Sequence, residues 1–293
     1  MRTYDLYEAA AFLRMSPAVL RQKAAEFSMN PVSGDSRLLA DVYGADGYST
    51  VFYIDDGELE YLRAAIFRQW LARITTVCPE HSEVFREAGL QGYHRLSHLI
   101  SHESLWTKEH RVLPKESVAA LGQMDFVRRL IECLGGSCRI SNVVFFSGEI
   151  PGYPEVYWRL VRPQEVKDVG PLHADRWFHD QLGGGSTLYA DSETTIKIWL
   201  AIYAEPGLNG LYVVPGSHRK SWRVKYTAGT DGHLRPSLDE PLGEYSRQLL
   251  PVIAGQTILF NENLLHGGAV NAASTSRVSV EMTFVLQRSS IPL

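Results

Sequence analysis

Residues 194–203 read TTIKIWLAIY and residues 277–286 read RVSVEMTFVL. In each stretch every second residue is apolar, and a strand sends alternate side chains to opposite faces. One face of the first carries Ile196, Ile198, Leu200 and Ile202; the other carries Thr195, Lys197, Trp199 and Tyr203. One face of the second carries Val278, Val280, Met282, Phe284 and Leu286; the other carries Arg277, Ser279, Glu281 and Thr283. A helical layer covers the purely apolar faces. The polar faces either meet bulk solvent or line an interior, where a charge is costly unless it holds a ligand or another charge. Trp199 and Tyr203 beside Lys197 favour the interior.

Further short β patterns flank these two: RISNVVFFS from 139, EVYWRLVRP from 155, GLYVVPG from 210 and GQTILFN from 255. Gly- and Pro-rich connections separate them. Many short strands spaced in this way indicate a closed or double-sheet architecture, and a jelly roll (a double-stranded β-helix, cupin-like) with a helical surround fits best. The first 140 residues are instead mostly helical in pattern. Ser16-Pro17 caps the second of two short helices within residues 5–27. A longer helix over 55–77 carries Leu59, Leu62, Ile66, Trp70 and Ile74, and residues 117–135 form a single amphipathic candidate. The expected organisation is a helical segment over 1–65 followed by a jelly-roll domain with flanking helices over 66–293.

Composition narrows the function. The 293 residues are 45% hydrophobic and 21% charged, with a formal net charge of −4. That balance is ordinary for a globular protein and gives no overall attraction to nucleic acid or anionic membrane. No run is long and apolar enough to span a bilayer, and the first residues lack the apolar stretch of a signal peptide. Cys78, Cys133 and Cys138 are odd in number and lack metal-site spacing, so they read as reduced thiols. A cytoplasmic location is the expectation.

The chemistry centres on GPLHADRWF, residues 170–178. His173 and Asp175 are two positions apart, so at a strand end they share a face and can grip one ion. A second histidine is needed, and His266 in ILFNENLLHGGAVN follows a predicted strand. Two histidines and one carboxylate leave positions open on Fe(II) for a chelating co-substrate and O₂. Arg277 lies eleven residues after His266, with Ser279 two further on. A guanidinium forks onto a carboxylate, and a hydroxyl on the same strand face adds a donor.

Residues from about 140 to 286 resemble the phytanoyl-CoA dioxygenase family. The likeness rests on His173-Ala174-Asp175, Trp199 in IKIWLAIYAEP, Asn209-Gly210 and Pro215-Gly216-Ser217-His218, then His266, Asn271 and Arg277, in that order. It implies that His173, Asp175 and His266 bind iron, that Arg277 and Ser279 bind 2-oxoglutarate, and that Trp199 packs beside that co-substrate. It implies a hydroxylase consuming O₂. Halogenating relatives carry a small residue where Asp175 stands, so hydroxylation is favoured over chlorination. The stretch HDQLGGGSTLYADSETT, residues 179–195, is longer than the family pattern and reshapes the substrate mouth. Arg159, Trp177, Tyr189, Lys197 and the loop 178–193 are the expected substrate lining, and their cations suit a small anionic or polyhydroxylated metabolite.

Other constellations compete. His94, His98 and His102 have the spacing of one helical face, which reads as a solvated face. His218 shapes a turn. His179 and Asp180 are either substrate-side neighbours or structural. Gly183-Gly184-Gly185-Ser186 lacks the lysine of a phosphate loop. Residues 1–65 weakly resemble an excisionase-type helix-turn-helix, with Arg21, Gln22 and Lys23 offset by Glu26. This keeps open a rival of another class: a ligand-sensing roll with a DNA-binding N-terminus.

Overall fold

The computed structural model describes residues 36–142, 153–181, 189–229 and 234–291. The N-terminal helices expected over residues 5–27, residues Gly183 to Ser186, and Arg21, Gln22, Lys23 and Glu26 of the helix-turn-helix resemblance lie outside that set. Ser36–Leu293 forms one compact unit. In chain order its elements begin with α1 (Ser36–Tyr43), β1 (Tyr48–Tyr53), α2 (Asp56–Val77), α3 (Ser82–Gly92) and α4 (His102–Leu105). Next come α5 (Lys115–Leu121), α6 (Asp125–Cys133), β2 (Cys138–Ile140), β3 (Val156–Val161), α7 (Arg176–Gln181) and β4 (Glu193–Tyr203). The C-terminal part holds β5 (Leu211–Val213), β6 (Val224–Ala228), β7 (Leu234–Leu238), β8 (Gln248–Leu249), β9 (Gln256–Asn261), β10 (His266–Gly268) and β11 (Arg277–Gln287).

Helix α2 starts where its chemistry dictates. The Asp55 carboxylate accepts from Glu58 N at 2.8 Å, and Glu58 reaches back to Asp55 N, a reciprocal cap. Glu58 also accepts from Phe126 N at 2.7 Å, so one carboxylate anchors the starts of α2 and α6. Leu62, Ile66, Trp70 and Ile74 are fully buried. The expected division at residue 65 therefore falls inside a continuous core helix. In addition, β1 pairs with β9, which places residues 48–53 in the main sheet.

Two other helical expectations are corrected. Residues 115–133 are two helices, because the chain breaks at Gly122–Met124 and restarts at Asp125. His94, His98 and His102 share no helix: two 3₁₀ turns, Tyr93–Arg95 and Ser97–Leu99, are followed by extended Ile100. His102 turns inward and meets the Tyr93 hydroxyl at 2.8 Å and Asp168 at 3.4 Å.

The main sheet is antiparallel in the order β1-β9-β4-β11-β2, with β3 also on β11. A smaller antiparallel sheet runs β10-β5-β8, and β6-β7 is a separate hairpin. The apolar faces of β4 and β11 pack in one cluster with Leu62, Ile66 and Trp70 of α2 and Phe126 of α6. The opposite face places Trp199, Ala201, Ile258 and Phe260 against Leu211 and Val213 of the small sheet. Lys197, Arg277 and Glu281 lie on this inner face and are 9%, 2% and 8% exposed. The interior reading of the polar face therefore holds, with one exception. The β4–β11 register slips between Val278 and Ser279, leaving Ile202 as the extra residue of a bulge. Tyr203 is carried to the helical side, where Arg63 sits 4.5 Å over its ring.

Candidate metal centre

The chain brings His173, Asp175 and His266 together through backbone hydrogen bonds. His173 and His266 form an isolated antiparallel bridge, N to O in both directions at 3.0 and 2.9 Å. Arg176 N donates to Glu262 O at 2.9 Å, fixing the turn that carries Asp175. One potential ligand atom from each of the three residues lies within 4.8 Å of the others, the one such group among the described residues. Asp175 Oδ1 is 3.8 Å from His173 Nε2 and 3.7 Å from His266 Nε2.

The set fits a metal ion in a second respect. His173 Nδ1 sits 2.8 Å from Pro171 O, and His266 Nδ1 sits 2.9 Å from Leu264 O. A carbonyl accepts only, so each imidazole carries its proton on Nδ1 and turns the Nε2 lone pair toward Asp175. Burial, then the neighbouring His266, pushes His173 down to about 4, so the ring stays neutral. Burial works against ionised Asp175, but neighbouring positive charge, Lys197 first, outweighs it and holds the carboxyl well below its usual range. Phe178 packs edge-on to His173 and Phe260 lies 4.4 Å from the His266 ring, which restricts both imidazoles.

Arg277 donates to Ser279 Oγ at 2.6 Å and lies 5.5 Å from the Trp199 ring. Its Nε is buried with no hydrogen-bond partner. Burial pulls its guanidinium down to about 10. A buried cation with an unused donor is what an anionic ligand would complete.

A second group of charges surrounds Tyr157, which is directly opposite Glu281 in the β3–β11 pairing. Tyr157 OH donates to Glu281, and Arg159 Nε lies 2.7 Å from the other oxygen of that carboxylate. Burial opposes ionisation of Glu281, but Arg159, then Lys197 and the tyrosine hydrogen bond, draw it to about 2. Lys108 is 2.8 Å from Glu155 and 4.5 Å over the Tyr157 ring. Lys197 reaches Tyr157 OH at 3.5 Å and Asp175 Oδ2 at 3.7 Å. Tyr189 meets Ser141 at 2.8 Å.

Tyr157 was available to sequence reasoning, since it precedes Arg159 by two on a strand and so shares its face. Glu262 was harder to see. This buried carboxylate gathers Thr195 at 2.5 Å, Arg176 at 3.4 Å and His179 at 3.5 Å behind the Asp175 turn. His179 is thus placed as a structural partner of Glu262, and Asp180 pairs with Arg176 at 2.9 Å. Trp177 is not brought to the Lys197 group. It packs with Ala174, Val214 and Leu265 and edges a surface cleft of about 450 Å³ that none of the three metal-site residues lines. His218 lies two residues after left-handed Gly216 in a turn and packs near Gly47, with neither ring nitrogen hydrogen-bonded.

Residues 67–279 match the family model described as phytanoyl-CoA dioxygenase. Among solved structures, EvdO2 from Micromonospora carbonacea var. aurantiaca complexed with 2-oxoglutarate is 13% identical, with a TM-score of 0.53, covering 87% of this chain and 91% of that one. A second EvdO2 structure from the same source is 13% identical with a TM-score of 0.51, covering 87% of this chain and 92% of that one. At such identities the likeness concerns the fold. Among curated proteins none matches the chain. With the family model spanning most of its length, the chain belongs to the phytanoyl-CoA dioxygenase family and is a non-haem iron oxygenase that consumes 2-oxoglutarate and O₂.

Proposed function

We propose that the protein hydroxylates a small, polar, negatively charged metabolite, with Fe(II) held by His173, Asp175 and His266 and 2-oxoglutarate held by Arg277 and Ser279. Bound there, the iron with its co-substrates supplies the oxidising power. The protein's part is to bind, orient and exclude water. Arg277 offers a carboxylate its fork and its unused Nε, with the Ser279 hydroxyl beside it and the Trp199 face packed against the guanidinium. The neutral Nδ1–H tautomers keep both Nε2 lone pairs available.

Arg159 favours a negatively charged substrate. Its Nε is braced on Glu281, while the side chain is 36% exposed on the face that carries the site. A guanidinium held by one edge presents its other edge as a fork for carboxylate or phosphate. Lys197 adds positive potential beside it, and the Tyr189–Ser141 pair supplies a polar rim. Trp177 enters only if the substrate reaches the outer cleft. We assign the two sheets as the walls of a jelly roll; the cluster joining Trp199 and Phe260 to Leu211 and Val213 supports this. No described helix is long and apolar enough to cross a membrane, and a cytoplasmic setting belongs to the same reading.

The test is succinate release with Fe(II), 2-oxoglutarate and a panel of metabolites in matched anionic and neutral forms. Tight coupling of decarboxylation to oxidation is expected only for anionic members. Absence of any 2-oxoglutarate decarboxylation, or better coupling with the neutral forms, would overturn the proposal.

A further inference from the structure

Lys197 lies in the middle of β4 and is 9% exposed. Burying an ammonium is costly unless a carboxylate answers it. Three carboxylates surround this one: Asp175, Glu281 and Glu155. Two are already engaged. Glu281 takes Arg159 at one oxygen and the Tyr157 hydroxyl at the other, and Glu155 takes Lys108 at 2.8 Å. Asp175 remains, and Lys197 Nζ is 3.7 Å from its Oδ2. The other oxygen of the same carboxylate, Oδ1, faces both histidine Nε2 atoms at 3.8 and 3.7 Å.

The two oxygens of Asp175 are therefore used differently. Oδ1 points into the histidine pair. Oδ2 is buried, has no hydrogen-bond partner, and looks at the ammonium. Lys197 is itself steadied from the side by Tyr157, with the hydroxyl at 3.5 Å and the ring centroid at 5.2 Å. Tyr157 in turn is fixed by Glu281.

We infer that Lys197 is a positioning residue for the metal-binding carboxylate: it holds Asp175 Oδ2 away from the ion so that Asp175 ligates through Oδ1 alone. It does so through the chain Glu281–Tyr157–Lys197–Asp175. The inference rests on the reading of His173, Asp175 and His266 as iron ligands. It goes beyond that reading by giving the inner-face lysine a role in orienting a ligand, ahead of any contact with substrate. Chemically, an Asp175 free to offer both oxygens would occupy a position that 2-oxoglutarate or O₂ needs. An unanswered buried carboxylate would also rotate toward the nearest cation.

The experiment is anaerobic calorimetric titration of Fe(II) into metal-free protein, for wild type, Lys197→Met, Lys197→Arg, Tyr157→Phe and His173→Ala. The visible charge-transfer band of the 2-oxoglutarate complex is recorded beside it. Lys197→Met is expected to weaken Fe(II) binding about tenfold to a hundredfold, the usual effect of losing a residue that orients a metal ligand. The charge-transfer band should shift as well. Lys197→Arg should recover most of the affinity, because it restores a cation facing Oδ2. Tyr157→Phe should give a smaller loss of the same kind, and it carries the test if Lys197→Met does not fold. Wild-type Fe(II) affinity and an unshifted band in both Lys197→Met and Tyr157→Phe would overturn the inference. So would a loss of 2-oxoglutarate affinity in Lys197→Met with Fe(II) binding intact, which would make Lys197 a co-substrate ligand. His173→Ala separates the two levels. If it too binds Fe(II) like wild type, the metal-site reading fails; if it loses Fe(II) while Lys197→Met does not, only the role of Lys197 falls.

Discussion

Replacing Arg277 tests the co-substrate site most directly. Arg277 is 2% exposed, and its contacts are the Ser279 hydroxyl at 2.6 Å and the Trp199 ring at 5.5 Å. Its Nε makes no hydrogen bond, and burial, with Arg159 and Arg111 adding to it, pulls the guanidinium down. Without 2-oxoglutarate the cation is thus a net cost to the fold. With it, the arginine gains a charge-assisted contact worth about 1.5–3 kcal/mol. Losing that contact should raise the 2-oxoglutarate requirement on the order of tenfold to a hundredfold. Arg277→Ala also leaves a void, so Arg277→Met, which fills most of the volume, is the cleaner variant. Two signatures are expected together. The half-saturating 2-oxoglutarate concentration for decarboxylation rises by that factor. The metal-free protein melts no lower than wild type, because a poorly answered buried charge has been removed. Thermal melts with and without 2-oxoglutarate should show the ligand-induced rise shrinking in the variant. An unchanged 2-oxoglutarate requirement, or a large destabilisation of the ligand-free protein, would assign Arg277 to structure.

Three further outcomes are expected. His173→Ala and His266→Ala should each lose Fe(II) binding and turnover while keeping the wild-type far-UV circular dichroism; full activity in either removes that residue from the metal. His102 is pushed down to about 4 in the fold, by burial first and against the pull of Asp168. Its unfolded counterpart takes a proton near pH 6.5, so stability is full above that pH and falls as pH drops toward 4, by at most about 3 kcal/mol. Urea midpoints at pH 7.5 and 4.5 should therefore differ more for wild type than for His102→Gln, and parallel curves would refute the assignment. Gly47 has φ 85°, and a Cβ there would lie 2.4 Å from His218 Nδ1, whereas Gly136 has φ 76° and open space around it. Gly47→Ala should cost about 2 kcal/mol or more and Gly136→Ala about 1; equal losses would show that the His218 contact yields freely.

The two alternating strands were readable because period-2 geometry leaves little choice once one face is apolar. Ile196 to Ile202 and Val278 to Leu286 lie against the helices as the alternation requires. Tyr203 was misread because a single-residue bulge shifts register without marking composition. The histidines at 94, 98 and 102 illustrate the opposite error. Their spacing has meaning only on an unbroken helix, and the turns at Leu96 and Ile100 remove that premise. The partner of Lys197 could not be read from its strand at all. The expectation placed Lys197 in the substrate lining, held by a ligand or another charge. The observed carboxylate belongs to Asp175, on a segment that enters the face from outside it, tied down by His266 and Glu262. Contacts made by returning loops depend on backbone hydrogen bonds at long sequence separation, which local pattern does not encode.

The cross-strand register explains how the inner face holds a dense charge network at one row and small residues at the next. Across β3, β11 and β4, one row reads Tyr157, Glu281, Trp199. It is filled by large side chains that brace one another. The next row reads Arg159, Ser279, Ala201. There a long cation lies beside two small residues. Arg277 stands one alternate position beyond Ser279 on the same strand, and a Cβ added at Gly268 of the small sheet would lie 3.7 Å from its guanidinium. Small residues thus neighbour both guanidinium groups. The row on the other side pairs Lys197 with Thr283, at the end toward Asp175. A slip of one residue in β11 would send Arg277, Ser279 and Glu281 into the apolar helical layer together. The valines and phenylalanine that pin β11 against that layer therefore also fix which end of the face carries Arg277 and Ser279 and which end brings Lys197 toward Asp175.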